Sequence, residues 1–112
     1  MSKVAVFVRD FELGTRIADT LTLLGEACVF PDAESDDTQD ARVVIIDLDD
    51  VDLKPLNLVY KLTGESPELS VVGCAIRVSK RLMYEAKEAG CRWVFPKSSL
   101  VRNLPAVLES GA

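Results

Sequence analysis

The sequence predicts a three-layer α/β/α sandwich around a five-stranded parallel sheet. Three observations carry that reading. Short apolar runs rich in β-branched residues recur along the chain, as in strands covered on both faces. Between them lie segments whose apolar residues fall at helical spacing. The two kinds alternate, with no linker, internal repeat or low-complexity tract between them.

KVAVFV (3–8) is the first strand. Leu13, Ile17, Leu21 and Leu24, with Ala18 on the same side, mark the first helix, which Gly25 closes. EACVF (26–30) is the second strand, ended by Pro31 and Asp32. AESDDTQD (33–40) is polar and acidic, and is either a loop or a very short helix. ARVVIID (41–47) is the third strand and the most apolar. Leu53, Leu56, Leu58, Val59 and Leu62 indicate a helix, with Pro55 near its start and Gly64 at its end.

SVVGCAI (70–76) is the fourth strand, and Leu82, Met83, Ala86 and Ala89 mark a helix that Gly90 ends. RWVFP (92–96) is the fifth strand. Ser98 and Ser99 offer caps for a last helix with Leu100, Val101, Leu104, Val107 and Leu108 on one face. Pro105 removes a backbone hydrogen bond from its interior. The expectation is therefore a break, with one turn over 98–102 and a second short helix capped by Asn103.

Right-handed crossovers between five such strands give a doubly wound, flavodoxin-like sandwich in the order 2-1-3-4-5. Sites in these sheets lie at the carboxyl ends of the strands, near the switch point between strands 1 and 3. That topology places Arg9, Asp10 and Asp47 together, with residues 75 to 77 and Lys97 nearby. Two carboxylates there suit a hard cation such as Mg²⁺, which takes one or two carboxylates, a carbonyl and waters. Lys97 adds a positive charge that pairs with Asp47 or with a phosphoryl group on it. An Asp, a metal and a Lys are the parts of an aspartyl-phosphate chemistry.

Composition narrows the classes. A chain of 112 residues, 48% of them apolar, suits one domain with a real core. It is expected to act as a single domain without an output domain. The start, MSKVAVFVRD, lacks signal-peptide features, and no apolar run approaches a membrane span. A soluble, cytoplasmic protein is expected. Cys28, Cys74 and Cys91 sit among apolar neighbours, and with no histidine and no CxxC they read as buried free thiols.

The net charge of −5 argues against general nucleic-acid binding. The charge is segregated: nine acidic residues against Arg42 alone from Asp32 to Leu53, and seven basic against three acidic from Arg77 onward. There is no GxGxxG or GxxxxGKS for a nucleotide and no His for acid–base work. RDFELGT is a poor flavin-phosphate loop, and a cobalamin carrier would want an axial His.

Taken together, nearly the whole chain resembles a response-regulator receiver domain. Val8-Arg9-Asp10 stands where receivers carry an acidic pair, VVIIDLDD (43–50) resembles the phosphoacceptor strand, and EAGCRWVFPKSSL (88–100) resembles the segment that ends at the family lysine. The lysine here follows the proline rather than preceding it, which keeps Lys97 in register. The resemblance implies a phosphorelay (two-component) function with Asp47 as phosphoacceptor and Lys97 beside it. It implies Mg²⁺ held by Asp10, Asp47 and the backbone carbonyl of Asp49. It implies a histidine kinase, phosphotransfer protein or other signalling protein as partner. No enzyme activity is implied beyond self-phosphorylation from a phosphodonor, and no contact with nucleic acid or membrane.

The departures define an atypical member. Arg9 replaces the first acidic residue, and its guanidinium is expected to pair with Asp10 or Asp47 in the metal's place. The switch hydroxyl position falls on Ala75 and the switch aromatic on Val94, while alternation turns Trp93 and Phe95 to the opposite face. The alternative reading is a phosphorylation-independent pseudo-receiver that binds a partner constitutively. Asp47 would then be one half of a structural ion pair, and Asp10 a helix cap. Arg77, Lys80, Arg81, Tyr84, Arg92 and Trp93 are either an interaction face, with a homodimer through the 82–89 helix, strand 92–96 and last helix, or a solvated basic surface with Trp93 packed under that helix.

Overall fold

The computed structural model describes residues 3–31 and 40–110. Its elements are β1 (Lys3–Phe7), α1 (Phe11–Leu23), β2 (Ala27–Val29), β3 (Ala41–Asp47), a 3-10 turn (Val51–Leu53), α2 (Pro55–Glu65), β4 (Ser70–Ala75), α3 (Lys80–Ala89), β5 (Trp93–Pro96) and α4 (Lys97–Ser110). All five strands are parallel, in the order β2-β1-β3-β4-β5. The expected sandwich and strand order hold. The loop or short helix expected over 33–40 lies, up to residue 39, outside the described residues.

The strands are apolar throughout because both sheet faces are covered. On one face Val4, Val6, Val43, Ile45, Val72 and Cys74 pack against Leu13, Ile17 and Leu21 of α1 and Leu100, Leu104, Val107 and Leu108 of α4. On the other, Ala5, Phe7, Val44, Ile46, Val71, Ala75 and Val94 meet Leu58, Val59 and Leu62 of α2 and Ala86 of α3. Successive residues of each strand thus alternate between two apolar layers. A register shift between Lys3 and Val4 leaves Arg42 as an extra residue in β3. Its guanidinium binds Glu26 at 3.2 Å and the carbonyl of Leu108 at 3.1 Å, which fastens the end of α4 to the sheet.

Several boundaries differ from expectation, each for a local reason. Gly64 does not end its helix, which runs on to Glu65. Leu53 lies in the 3-10 turn, and Lys54 at φ +49° joins that turn to α2 with Pro55 in its first turn. Leu24 caps α1 and is 40% exposed, so it leaves the buried stripe. Pro105 breaks nothing: α4 is one helix from Lys97 to Ser110. Asn103 does not cap a second helix; its amide donates to the Ser99 carbonyl at 2.7 Å. Ser98 and Ser99 lie within α4, and the Ser99 hydroxyl donates to the Pro96 carbonyl at 3.2 Å.

The thiols also separate. Cys74 and Cys91 are buried, and burial pushes each up to about 12, whereas Cys28 is half-buried and raised for the same reason. Among the described residues no helix is long and apolar enough to cross a membrane.

Candidate functional site

Asp47 is the last residue of β3, and its register partner in β4 is Cys74. Four apolar residues in sequence, Val43 to Ile46, carry it to the carboxyl end of the sheet, where it is only 6% exposed. Its Oδ1 accepts from the Lys97 ammonium at 2.9 Å and from the Asp49 backbone N–H at 2.9 Å. Its Oδ2 accepts nothing among the described residues. That atom is not sealed in the core, since no buried side-chain N or O among those residues lacks a partner. A carboxylate with one oxygen held by a cation and one left open is both oriented and available.

Lys97 begins α4 immediately after β5, and that position brings its amine across to β3. It is shared: a second contact, at 3.3 Å, reaches Asp49 Oδ2. Burial works against the ammonium, but hydrogen bonds and charge from Asp47 and then Asp49 outweigh it, and the Lys97 pKa stands above its ordinary value. Asp49 was expected to offer only a backbone carbonyl. Its side chain also accepts from the Ile76 backbone N–H at 2.7 Å, and so bridges the ends of β3 and β4.

Arg9 does not go where its charge was expected. It pairs with neither Asp10 nor Asp47. Its guanidinium grips Asp50 through Nε at 2.5 Å and Nη2 at 2.6 Å, and reaches Asp52 at 3.2 Å. The planar fork of arginine matches a carboxylate in two-point contact, and Asp50 presents one. The hydrogen bond to Asp50 holds the Arg9 pKa up, and that same bond holds the Asp50 carboxyl below its usual range. The sequence signal was present but unread: four carboxylates within six residues, 47 to 52, face an arginine two residues beyond the neighbouring strand.

Asp10 caps α1, accepting at Oδ1 from Glu12 N–H at 2.9 Å and Leu13 N–H at 3.3 Å. Its Oδ2 has no partner among the described residues. Among those residues no group of three or more His, Cys, Asp or Glu side chains is arranged to hold a metal ion. The hard oxygens at these strand ends include Asp47 Oδ2, Asp10 Oδ2 and backbone carbonyls. That set fits a Mg²⁺ ion that keeps most of its waters, and no tighter cage.

Ala75 and Val94 are both buried in the layer beneath α2 and α3. Trp93 and Phe95 pack against the opposite layer, beside α4, as alternation predicted. Trp93 is therefore not packed under α3; instead the Arg92 guanidinium lies 4.5 Å from its ring centroid. Arg77, Lys80, Arg81 and Tyr84 are exposed. Arg81 pairs with Glu85 at 3.6 Å, and the neighbouring Glu88 carboxylate raises the Tyr84 pKa. The six residues proposed as one face thus divide between the two sides of β5.

No protein-family profile matches the chain, and no curated protein matches it. Solved structures do match. A response regulator receiver domain protein (CheY-like) from Methanospirillum hungatei superposes with a TM-score of 0.81 at 12% identity, covering 99% of this chain and 96% of that one. The BeF3-activated receiver domain of DrrB, from Thermotoga maritima, gives 0.78 at 22% identity, over 97% of this chain and 98% of its own. An orphan response regulator of H. pylori gives 0.74 at 16% identity, over 96% of each chain. Over nearly its whole length, this chain has the CheY-like fold of response-regulator receiver domains.

Proposed function

We propose that the chain is a receiver-like domain of phosphorelay signalling, in which Asp47 takes a phosphoryl group and the output is a contact with another protein. The observation that carries this reading is the state of Asp47, a strand-end carboxylate with Lys97 on Oδ1 and, among the described residues, nothing on Oδ2. The donor is a phosphohistidine on a partner histidine kinase or phosphotransfer protein. Oδ2 attacks phosphorus; a P–O bond forms as the P–N bond breaks, and the departing imidazole nitrogen takes up a proton. The product is an acyl phosphate on Asp47. Lys97 faces the charge that develops. Bound Mg²⁺, held by Asp10, Asp47 and the Asp49 backbone carbonyl, would neutralise phosphoryl oxygens.

The test is intact mass after incubation with acetyl phosphate and Mg²⁺, for the wild type and Asp47→Asn. A Mg²⁺-dependent phosphoryl adduct, lost in Asp47→Asn, is expected. No adduct on the wild type, or an adduct that survives the substitution, overturns the reading.

One observation favours a second reading. Ala75 is fully buried with no hydroxyl to offer, and Val94 is 6% exposed. The two positions through which receivers report phosphate are thus apolar here. In this pseudo-receiver reading Asp47–Lys97 is a structural ion pair, and partner contact is constitutive. The contact surface is the α3–β5–α4 side, where β5 is an edge strand open to a second copy. A monodisperse monomer by light scattering at high concentration would remove the homodimer form of this idea.

A further inference from the structure

With Ala75 unable to report on Asp47, the other connections from Asp47 to the β4–α3 loop become the question. Among the described residues Asp47 reaches Asp49 through the Asp49 backbone N–H at 2.9 Å, and side chain to side chain through a shared lysine. Lys97 Nζ contacts Asp47 Oδ1 at 2.9 Å and Asp49 Oδ2 at 3.3 Å. That same Asp49 Oδ2 accepts from the Ile76 N–H at 2.7 Å. Ile76 is the first residue beyond β4 and is 78% exposed. It opens the loop that leads to Ser79, whose hydroxyl caps α3 by accepting from Leu82 N–H at 3.0 Å. Three links therefore run in series from Asp47 through Lys97 and Asp49 to Ile76. Each involves a charged group, so each responds to a change of charge at its neighbour.

We propose that Asp49 is a positioning residue that couples the charge on Asp47, through their shared lysine, to the backbone at Ile76 and so to the loop before α3. The proposal rests on the reading of Asp47 as phosphoacceptor for its biological trigger, but not for its geometry. In the unmodified chain one ammonium balances two carboxylates. A phosphoryl group adds negative charge on the Asp47 side and draws the ammonium toward its oxygens. Asp49 loses its counter-charge and faces a nearby anion of the same sign. Its hold on the Ile76 N–H is the contact that can yield, because Asp49 is 37% exposed and can turn to solvent. The loop then moves with its exposed Ile76 and with the first turn of α3.

The readout is the Ile76 amide, by ¹H–¹⁵N NMR and hydrogen exchange. On a chain whose phosphoryl adduct is confirmed by mass, the Ile76 resonance should move and its exchange quicken about tenfold, the scale of one charge-assisted bond. A confirmed adduct with an unchanged Ile76 amide overturns the proposal. If no adduct forms, the phosphoacceptor reading fails by itself, and the coupling is still tested without phosphate. Lys97→Gln removes the shared cation and should shift the Ile76 amide in the wild-type background. It should leave that amide unmoved in an Asp49→Ala background, where the link is already cut. A shift of equal size in both backgrounds, or in neither, means Asp49 does not carry the coupling. A merely structural Asp49 would change the Ile76 amide without making it respond to Lys97.

Discussion

Two cations at the carboxyl end of the sheet are held by carboxylates, and they behave differently. Lys97 is 19% exposed and shared between Asp47 and Asp49. Arg9 is 63% exposed and held by Asp50 and Asp52. The difference follows from side-chain chemistry. An ammonium is a point charge and divides itself among the oxygens around it, while a guanidinium fork makes a two-point contact with a carboxylate that fits, here Asp50, and only a single further contact with Asp52. Arg9 therefore pins the loop after β3 and takes no part in holding Asp47. Among the described residues Asp47 is paired with one cation, and that cation leaves an oxygen free.

Substitutions can break this contrast in graded ways. Lys97→Met removes the charged partner that a nearly buried carboxylate has among the described residues. Unfolding free energy should fall by about 2 to 3 kcal/mol, below the usual loss for a fully buried pair because Asp47 Oδ2 still reaches solvent. Urea denaturation with unchanged m-value would check it. Gly73→Ala disturbs the same place without touching charge. A Cβ there would stand 2.7 Å from Cδ1 of Leu48, the residue after Asp47, and 3.3 Å from Cys91 Sγ. Overpacking of this kind should cost about 1 to 2 kcal/mol, and it should also lower any phosphoryl-adduct yield by displacing Asp47.

Asp50→Asn should change the urea midpoint less than either, because the Arg9 side of the pair is open to solvent and salt. A larger effect than that of Lys97→Met would reverse the comparison.

Titration separates the two pairs by sign. The hydrogen bond to Arg9 lowers the folded Asp50 pKa. Its contribution is thus present above the unfolded carboxyl value of about 3.9 and is lost as pH falls through the folded value. The Lys97 pKa is raised, with burial opposing and Asp47 and Asp49 prevailing. Its contribution is present below the unfolded lysine value of about 10.4 and is lost as pH rises through the folded value. Thermal melts across pH should show an acid decline softened in Asp50→Asn and an alkaline decline softened in Lys97→Met. The reverse assignment would mean the pairs are misidentified.

The architecture was legible because it depends on local pattern. The continuous apolar run 43–46 needed a sheet covered on both faces, and β3 contains that run. Alternation sent Trp93 and Phe95 to one layer and Val94 to the other, as found. The site was legible only where topology alone decided. Lys97 meets Asp47 because the ends of β3 and β5 lie on the same edge of a parallel sheet. The partners of Arg9 and the side-chain role of Asp49 depended on the path of the 48–54 loop, which no periodicity describes. Pro105 was misjudged because propensity argued for a break, whereas Leu104, Val107 and Leu108 on either side of it are buried in one layer. Packing on both sides of a proline can hold a helix together across the missing bond.

The most direct test of the account sets the two cations against each other in one assay. Acetyl phosphate and Mg²⁺ would be added to the wild type, Lys97→Gln and Arg9→Gln, and the rate of phosphoryl-adduct formation followed by intact mass. The account predicts a loss of about a hundredfold for Lys97→Gln, the scale of removing one positioned electrostatic donor, and little change for Arg9→Gln. Equal rates for Lys97→Gln and the wild type, or a collapse in Arg9→Gln instead, would contradict it.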